Sequence, residues 1–283
     1  MALTSPGLIK AANDALVAIT PEINIANLFA TDFSTDLADY GTTIKVPLAG
    51  ATAEEYSDTN NYEHDTGSVN YANVVLNHHP KATFKAPNMA AFEAPNAPYW
   101  GKVRGACANA VRGNISQILG GLFTADSCTG GKAVLPSVTK ANVAKLIASC
   151  KGRVADTVLG LAPAEYAELL SILDTTAYGG AEAIRNGYVP ALYGFKGVIC
   201  LRDLAEGVKG ALIPDTSVAI AARATVKDFT PFIEGDVVTD ESGFPLTFTR
   251  HFSAAKREEF LNADVLWGVT LIQDDKVQYI AAS

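Results

Sequence analysis

Residues 50–71, GATAEEYSDTNNYEHDTGSVNY, constrain the fold more than any other stretch of this chain. Their apolar content is Tyr56, Tyr62, Val69 and Tyr71 plus alanines. That is too polar to hold a core, and the stretch is too long for an ordinary hairpin turn. Ahead of it, TTIKVPL at 42–48 alternates, with Ile44, Val46 and Leu48 on one side and Thr43, Lys45 and Pro47 on the other. This is the pattern of a half-buried strand, and the proline favours an edge. Behind it, ANVVLNHHPKATFKA at 72–86 is a second strand-like stretch. Two readings compete for the residues between: an acidic surface loop, or a long two-stranded flap. An isolated hairpin is marginal in water, so the flap reading requires a neighbouring subunit to dock on.

Composition raises the expectation of an obligate assembly. Only 18% of the 283 residues are charged, and 45 are alanine, against a charged share of about 25% in typical soluble domains. Such a chain is not disordered, and it tolerates hiding much of its surface against other chains. The length suits one large domain or two to three modules folded together. The net charge of −8 argues against a protein that neutralises DNA phosphates. No apolar run is long enough to span a membrane, and the first twenty residues lack the basic and apolar blocks of a secretory signal. Cys107, Cys128, Cys150 and Cys200 form no C-x-x-C pair, so neither a zinc site nor a redox motif is expected. Free, mostly buried thiols are expected instead.

The remaining segments fall in a definite order. Residues 1–40 read as an arm, in which Ser5-Pro6 opens a helix and Pro21 stops it. Leu8, Ile9, Ala12, Ala15, Leu16 and Ile19 share one face of that helix, and Ile23, Ile25, Leu28, Phe29 and Phe33 follow without a period. Residues 96–123 predict one long helix, with Asn96 as cap and Pro98 in the first turn. Trp100, Val103, Cys107, Val111, Ile115, Ile118 and Leu122 keep its register. Gly101, Gly105 and Gly113 each weaken it by up to about 1 kcal/mol relative to alanine, which points to close packing. From 137 to 225 helix and strand alternate: a helix capped by Thr139, a buried strand at 156–161, a helix opened by Pro163, then strands at 192–201 and 218–224. The rest is β in character, with a turn at 240–243, strict alternation of Leu246, Phe248, Arg250 and Phe252, a helical turn at 253–262, and strands at 263–272 and 277–280.

No catalytic constellation emerges. Gly130-Gly131-Lys132 lacks the glycine spacing of a phosphate loop, and Gly194-Phe-Lys-Gly197 is not a dinucleotide fingerprint. Ser253-Ala-Ala-Lys256 matches the acylating S-x-x-K pattern, but without its S-D-N and K-T-G partners. His78 and His79 are consecutive on a strand-like stretch, so they point to opposite faces and cannot share a metal. His64 lies between Glu63 and Asp65, Asp236 lies near Asp240 and Glu241, and Asp32, Asp36 and Asp39 cluster. None of these has metal-loop spacing, and solvated turns explain them. No catalytic, cofactor-binding or metal residue is therefore assigned.

The order of parts, an apolar arm, a long acidic β flap, a long helix, a compact α/β unit and closing strands, resembles the major capsid proteins of tailed bacteriophages with the Hong Kong 97 fold. Locally the resemblance rests on three places. Val158-Leu-Gly-Leu-Ala-Pro-Ala-Glu-Tyr-Ala-Glu-Leu-Leu170 looks like a strand followed by a proline-started helix of the axial domain. Asn186-Gly-Tyr-Val-Pro-Ala-Leu-Tyr-Gly-Phe-Lys-Gly-Val-Ile199 looks like the next strand entry, and Phe248 to Ile280 looks like the strands returning to the peripheral domain. The fold class so implied is α+β. It has an N-terminal arm (1–40), an extended β-hairpin loop (41–95), a peripheral domain with a spine helix (96–130 and 226–283) and a mixed α/β axial domain (131–225).

The resemblance implies a structural, non-enzymatic protein without cofactors. It implies self-assembly through pentamers and hexamers into an icosahedral virion shell around double-stranded DNA, built in the host cytoplasm. A portal, a separate scaffolding protein and decoration proteins are the further partners so implied, with no membrane. The flap residues Glu54, Glu55, Asp58, Glu63 and Asp65 are expected to meet basic residues of a neighbour, with Lys102, Arg104 and Arg112 as candidates. The type member of the fold crosslinks subunits through a lysine in the extended loop. No lysine lies between Lys45 and Lys81 here, so such a crosslink is not expected. The competing readings are an encapsulin-like nanocompartment shell, an α/β enzyme with an unrecognised site, and a tail or surface structural protein.

Overall fold

The computed structural model describes residues 26, 28–33, 42–51, 57, 67–86, 98–173, 188–190, 192–225, 233–239, 244–253 and 258–282. A six-stranded mixed sheet organises the α/β unit, in the order β5 (Lys132–Val134), β15 (Gln278–Ala281), β9 (Val208–Pro214), β6 (Thr157–Leu161), β8 (Gly197–Cys200) and β7 (Tyr188–Pro190). Every residue of β6 is buried, as the continuous apolar run TVLGL requires of a central strand covered on both faces. On one face, Leu159, Leu161, Val198 and Leu212 pack against α2 (Lys140–Ser149) and α3 (Pro163–Ile172) through Val143, Leu146, Tyr166 and Leu169. The predicted starts of both helices hold. The Thr139 hydroxyl accepts from the Asn142 N–H, and Pro163 opens α3.

The opposite face of the same sheet presents Val158, Ile199, Ala211 and Ile213 to a second core. That core is closed by α1 (Pro98–Gly121), through Cys107, Val111, Ile115 and Leu119, and by two further sheets. One has the order β1 (Ala30–Asp32), β10 (Val218–Arg223), β14 (Leu266–Leu271); the other has β11 (Ile233–Thr239), β12 (Pro245–Ser253), β13 (Glu258–Asp264), β4 (Lys81–Ala86). Tight main-chain approach is built in: a Cβ on Gly210 would collide with the carbonyl oxygen of Gly160 on the neighbouring strand. The last strand, β15, lies between β5 and β9, so the C-terminal segment returns to the α/β sheet.

Several expectations are revised. The stretch 72–86 is two strands, β3 (Gly67–Val75) and β4, separated by Leu76–Pro80. Where a helical turn is expected at 253–262, Ser253 and Glu258–Asp264 lie instead in the β12–β13 pair, and residues 254–257 lie outside the described residues. The strand expected at 192–201 is confined to Gly197–Cys200, and that at 263–272 breaks at Val265, whose N–H turns to the Pro80 carbonyl. Of the arm, residues 26 and 28–33 are built into the chain's own core, where Phe29 is fully buried; residues 1–25 lie outside the described residues.

Candidate assembly surface

β2 (Thr43–Ala51) and β3 form a two-stranded antiparallel ribbon, in register from Thr43 opposite Val75 to Ala51 opposite Gly67. Its two faces follow from the period of two. The inner face carries Ile44, Val46 and Val74, buried with Leu76, Ala219, Ala221 and Ile272, while Leu48 and Ala72 sit at the margin of this cluster. The root crosses β14 at Gly268, where an added Cβ would collide with the Val75 carbonyl oxygen. A glycine at that position lets the two backbones touch.

The outer face carries three exposed apolar side chains, Val69, Tyr71 and Val75, interrupted by the exposed pair Lys45–Asn73. Tyr71 stands opposite Pro47, Val69 opposite Ala49, and Val75 opposite Thr43. Tyr71 is 68% exposed, Val69 60% and Val75 42%. Of the five large apolar side chains exposed among the described residues, three lie on this one face. Scattered exposed apolar residues are ordinary, but an alignment of this kind marks an interaction surface. The alternation of residues 42–48 signals the inner face, whereas the outer stripe is recognisable only once the register is known.

The acidic residues at the end of the ribbon, Glu54, Glu55, Asp58, Glu63 and Asp65, and His64 with them, lie outside the described residues. Lys102, Arg104 and Arg112 all fall on α1, and their side chains are likewise outside the described set. Leu76–Pro80 link the ribbon to β4. His78 exchanges main-chain hydrogen bonds with Trp267, at 3.0 and 2.9 Å, and its ring lies 5.7 Å from the indole. Burial lowers the His78 pKa from its ordinary value. His79 turns elsewhere, with Nε2 2.8 Å from Asp264 Oδ2. The two histidines thus take separate partners, as consecutive extended residues must.

The described residues contain no cluster of three His, Cys, Asp or Glu side chains able to hold a metal. All four cysteines are free thiols. Burial and the nearby Asp274 charge push Cys128 up to about 11 despite a hydrogen bond from its surroundings at Thr124, and burial raises Cys107 and Cys150. These thiols are protonated near neutral pH and therefore poor nucleophiles. Ser253 ends β12, and Lys256, its S-x-x-K partner, lies outside the described residues. No described helix is long and apolar enough to cross a membrane.

The described residues thus combine a two-stranded ribbon, a long helix packed with two smaller sheets, and an α/β unit on a six-stranded sheet, and this fold is shared with solved capsid structures. The solved structures it resembles include the capsid of cyanophage P-SCSP1u, with a TM-score of 0.53, 12% identity and coverage of 92% of this chain and 88% of the other. The capsid of a native GTA particle gives 0.53 at 12% identity, covering 95% and 89%. A virus-like particle from Pyrococcus furiosus gives 0.51 at 12% identity, covering 96% and 97%. What is shared at such identities is the fold, and it bears out the capsid resemblance read from the sequence. No family profile and no curated protein sequence matches the chain.

Proposed function

We propose that this protein is the major capsid protein of a tailed-bacteriophage-type particle, assembling through pentamers and hexamers into an icosahedral shell around double-stranded DNA. The observation that carries this reading is the capsid fold over more than nine-tenths of the chain. The exposed Val69, Tyr71 and Val75 on the outer face of the ribbon support it, because such side chains gain by covering from a neighbour. In this reading residues 1–40 are the arm, 41–95 the extended loop, 96–130 and 226–277 the peripheral domain with α1 as spine helix, and 131–225 the axial domain, to whose sheet the closing strand β15 also belongs rather than to the peripheral domain expected for it. The ribbon lies over an adjacent subunit, with its acidic end toward basic residues there, Lys102, Arg104 and Arg112 among the candidates. Assembly is packing and strand docking between copies, not turnover. A net charge of −8 suits a wall that contains DNA without gripping it. A scaffolding protein, a portal and decoration proteins complete the set of partners, and assembly takes place in the host cytoplasm.

The test is sedimentation and negative-stain imaging of the purified full chain. Closed particles or ring-shaped capsomers are expected; a stable monomer of about 30 kDa (the chain is 29.7 kDa) that forms neither overturns the proposal. Deleting residues 52–68 is expected to leave the thermal transition in place and to abolish or weaken assembly. The second reading, a shell with cargo other than a genome, is favoured by the likeness to the virus-like particle across nearly its whole length. Nuclease-protected DNA in native particles separates it from the first.

A further inference from the structure

Residues 28–33 run as a strap from the core under α1, where Leu28, Phe29 and Ala30 pack, to the core at the root of the ribbon, where Phe33 packs. At one end Phe29 is fully buried, edge to face with Phe123 at 6.2 Å. Beyond it β1 adds to β10 as a parallel edge strand of only three residues, and the Phe33 N–H donates to the Ile220 carbonyl at 2.8 Å. So short a strand holds poorly by itself. A third attachment comes from the α/β unit. Lys196 Nζ donates to the Leu28 carbonyl at 2.9 Å and to Asp215 Oδ2 at 2.8 Å.

The lysine is placed for this by the sheet. It directly precedes β8, and its own N–H donates to the Thr157 carbonyl at the start of β6. Asp215 directly follows β9, and its N–H donates to the Asp156 carbonyl at 2.7 Å. The other oxygen of Asp215 accepts from the Thr216 N–H at 3.1 Å, which fixes the carboxylate. Three strand ends therefore converge to aim one ammonium group at a main-chain carbonyl in a different part of the sequence.

We infer that Lys196, oriented by Asp215, is a clamp that fastens the strap at Leu28 to the end of the six-stranded sheet. The pair is partly exposed, 35% for Lys196 and 42% for Asp215, so salt weakens the clamp. It is thus a releasable attachment, unlike the buried Phe29. Lys196 is a positioning residue: it holds the strap at the Leu28 carbonyl.

Hydrogen exchange on the full-length, unassembled chain tests this without relying on the shell reading. Lys196→Met is expected to speed exchange across 28–33 by about tenfold, as loss of a charge-assisted hydrogen bond implies, with 157–161 unchanged. Lys196→Arg is expected to recover at least half of the protection, and about 1 M salt to speed exchange in the wild type but not in the methionine variant. Should Lys196→Met fail to fold, Asp215→Asn replaces it, with an expected several-fold effect and a diminished salt response. Unchanged exchange at 28–33 in the folded variants, equal acceleration at 157–161, or no recovery with arginine overturns the clamp.

Discussion

β6 and the β2–β3 ribbon are both β structure, yet one is an unbroken apolar run and the other alternates, and their surroundings differ completely. All five residues of β6 are buried, alternating between two cores. The ribbon buries one face at its root and leaves Val69, Tyr71 and Val75 in the open. A strand covered on both faces is stabilised within its own subunit. A ribbon covered on one face leaves part of its hydrophobic gain unrealised until something lies on the other. The first region is therefore expected to set the stability of the subunit, and the second its association.

The sharpest way to break this division is at the centre of the sheet. Leu159 is fully buried under α2 and α3. Leu159→Ala is expected to cost about 2–5 kcal/mol through lost transfer energy and the cavity left behind. A chemical denaturation midpoint measures this. A loss below about 1 kcal/mol would mean that the sheet is not the stable part. Tyr71→Ser on the ribbon is expected to do the reverse: a denaturation midpoint within about 0.5 kcal/mol of the wild type, but particle yield by sedimentation reduced at least about tenfold, as for an aromatic anchor of an interface. Normal particles from Tyr71→Ser would place the contact elsewhere, at the acidic end of the ribbon for example.

How far this division is legible without coordinates depends on whether the determining neighbours are close in sequence. TTIKVPL declares its buried face by alternation, and TVLGL its double burial by an unbroken apolar run. β9, VKGALIP, gives no such signal. Gly210 and Pro214 weaken it as a strand, and its partners β6 and β15 lie about fifty and seventy residues away. The segment after Ser253, rich in Ala, Lys, Arg and Glu, has the intrinsic preference of a helix. Pairing of β13 with both β12 and β4 overrides that preference from Glu258 onward. The outer stripe of the ribbon needed a register, and Lys196 sits in a turn-like G-F-K-G whose spacing says nothing of Leu28. Long-range pairing is what single-sequence patterns omit.

The joint between the ribbon and the β1-β10-β14 sheet offers the smallest and most specific test. His78 lies just beyond the ribbon and is bridged to Trp267 of β14. Its pKa is lowered in the folded chain because burial disfavours the imidazolium. As pH falls through the ordinary histidine range, near 6.5, the unfolded chain takes up a proton that the folded chain still refuses. Stability therefore declines from that point downward until the folded-state pKa is passed, and it is fully present above it. The charged groups nearest in the same segment, His79 and its partner Asp264, remain in both forms of a His78→Gln variant, so subtracting the two pH profiles isolates His78. The wild type is expected to lose a few degrees of melting temperature between about pH 7 and pH 5 that His78→Gln does not lose. If the decline persists in the variant, the sensitivity belongs to other groups. If instead the wild type gains stability on acidification while the variant does not, the imidazolium is favoured at the joint, and the ribbon root is less closed to water than the packing of His78 on Trp267 implies.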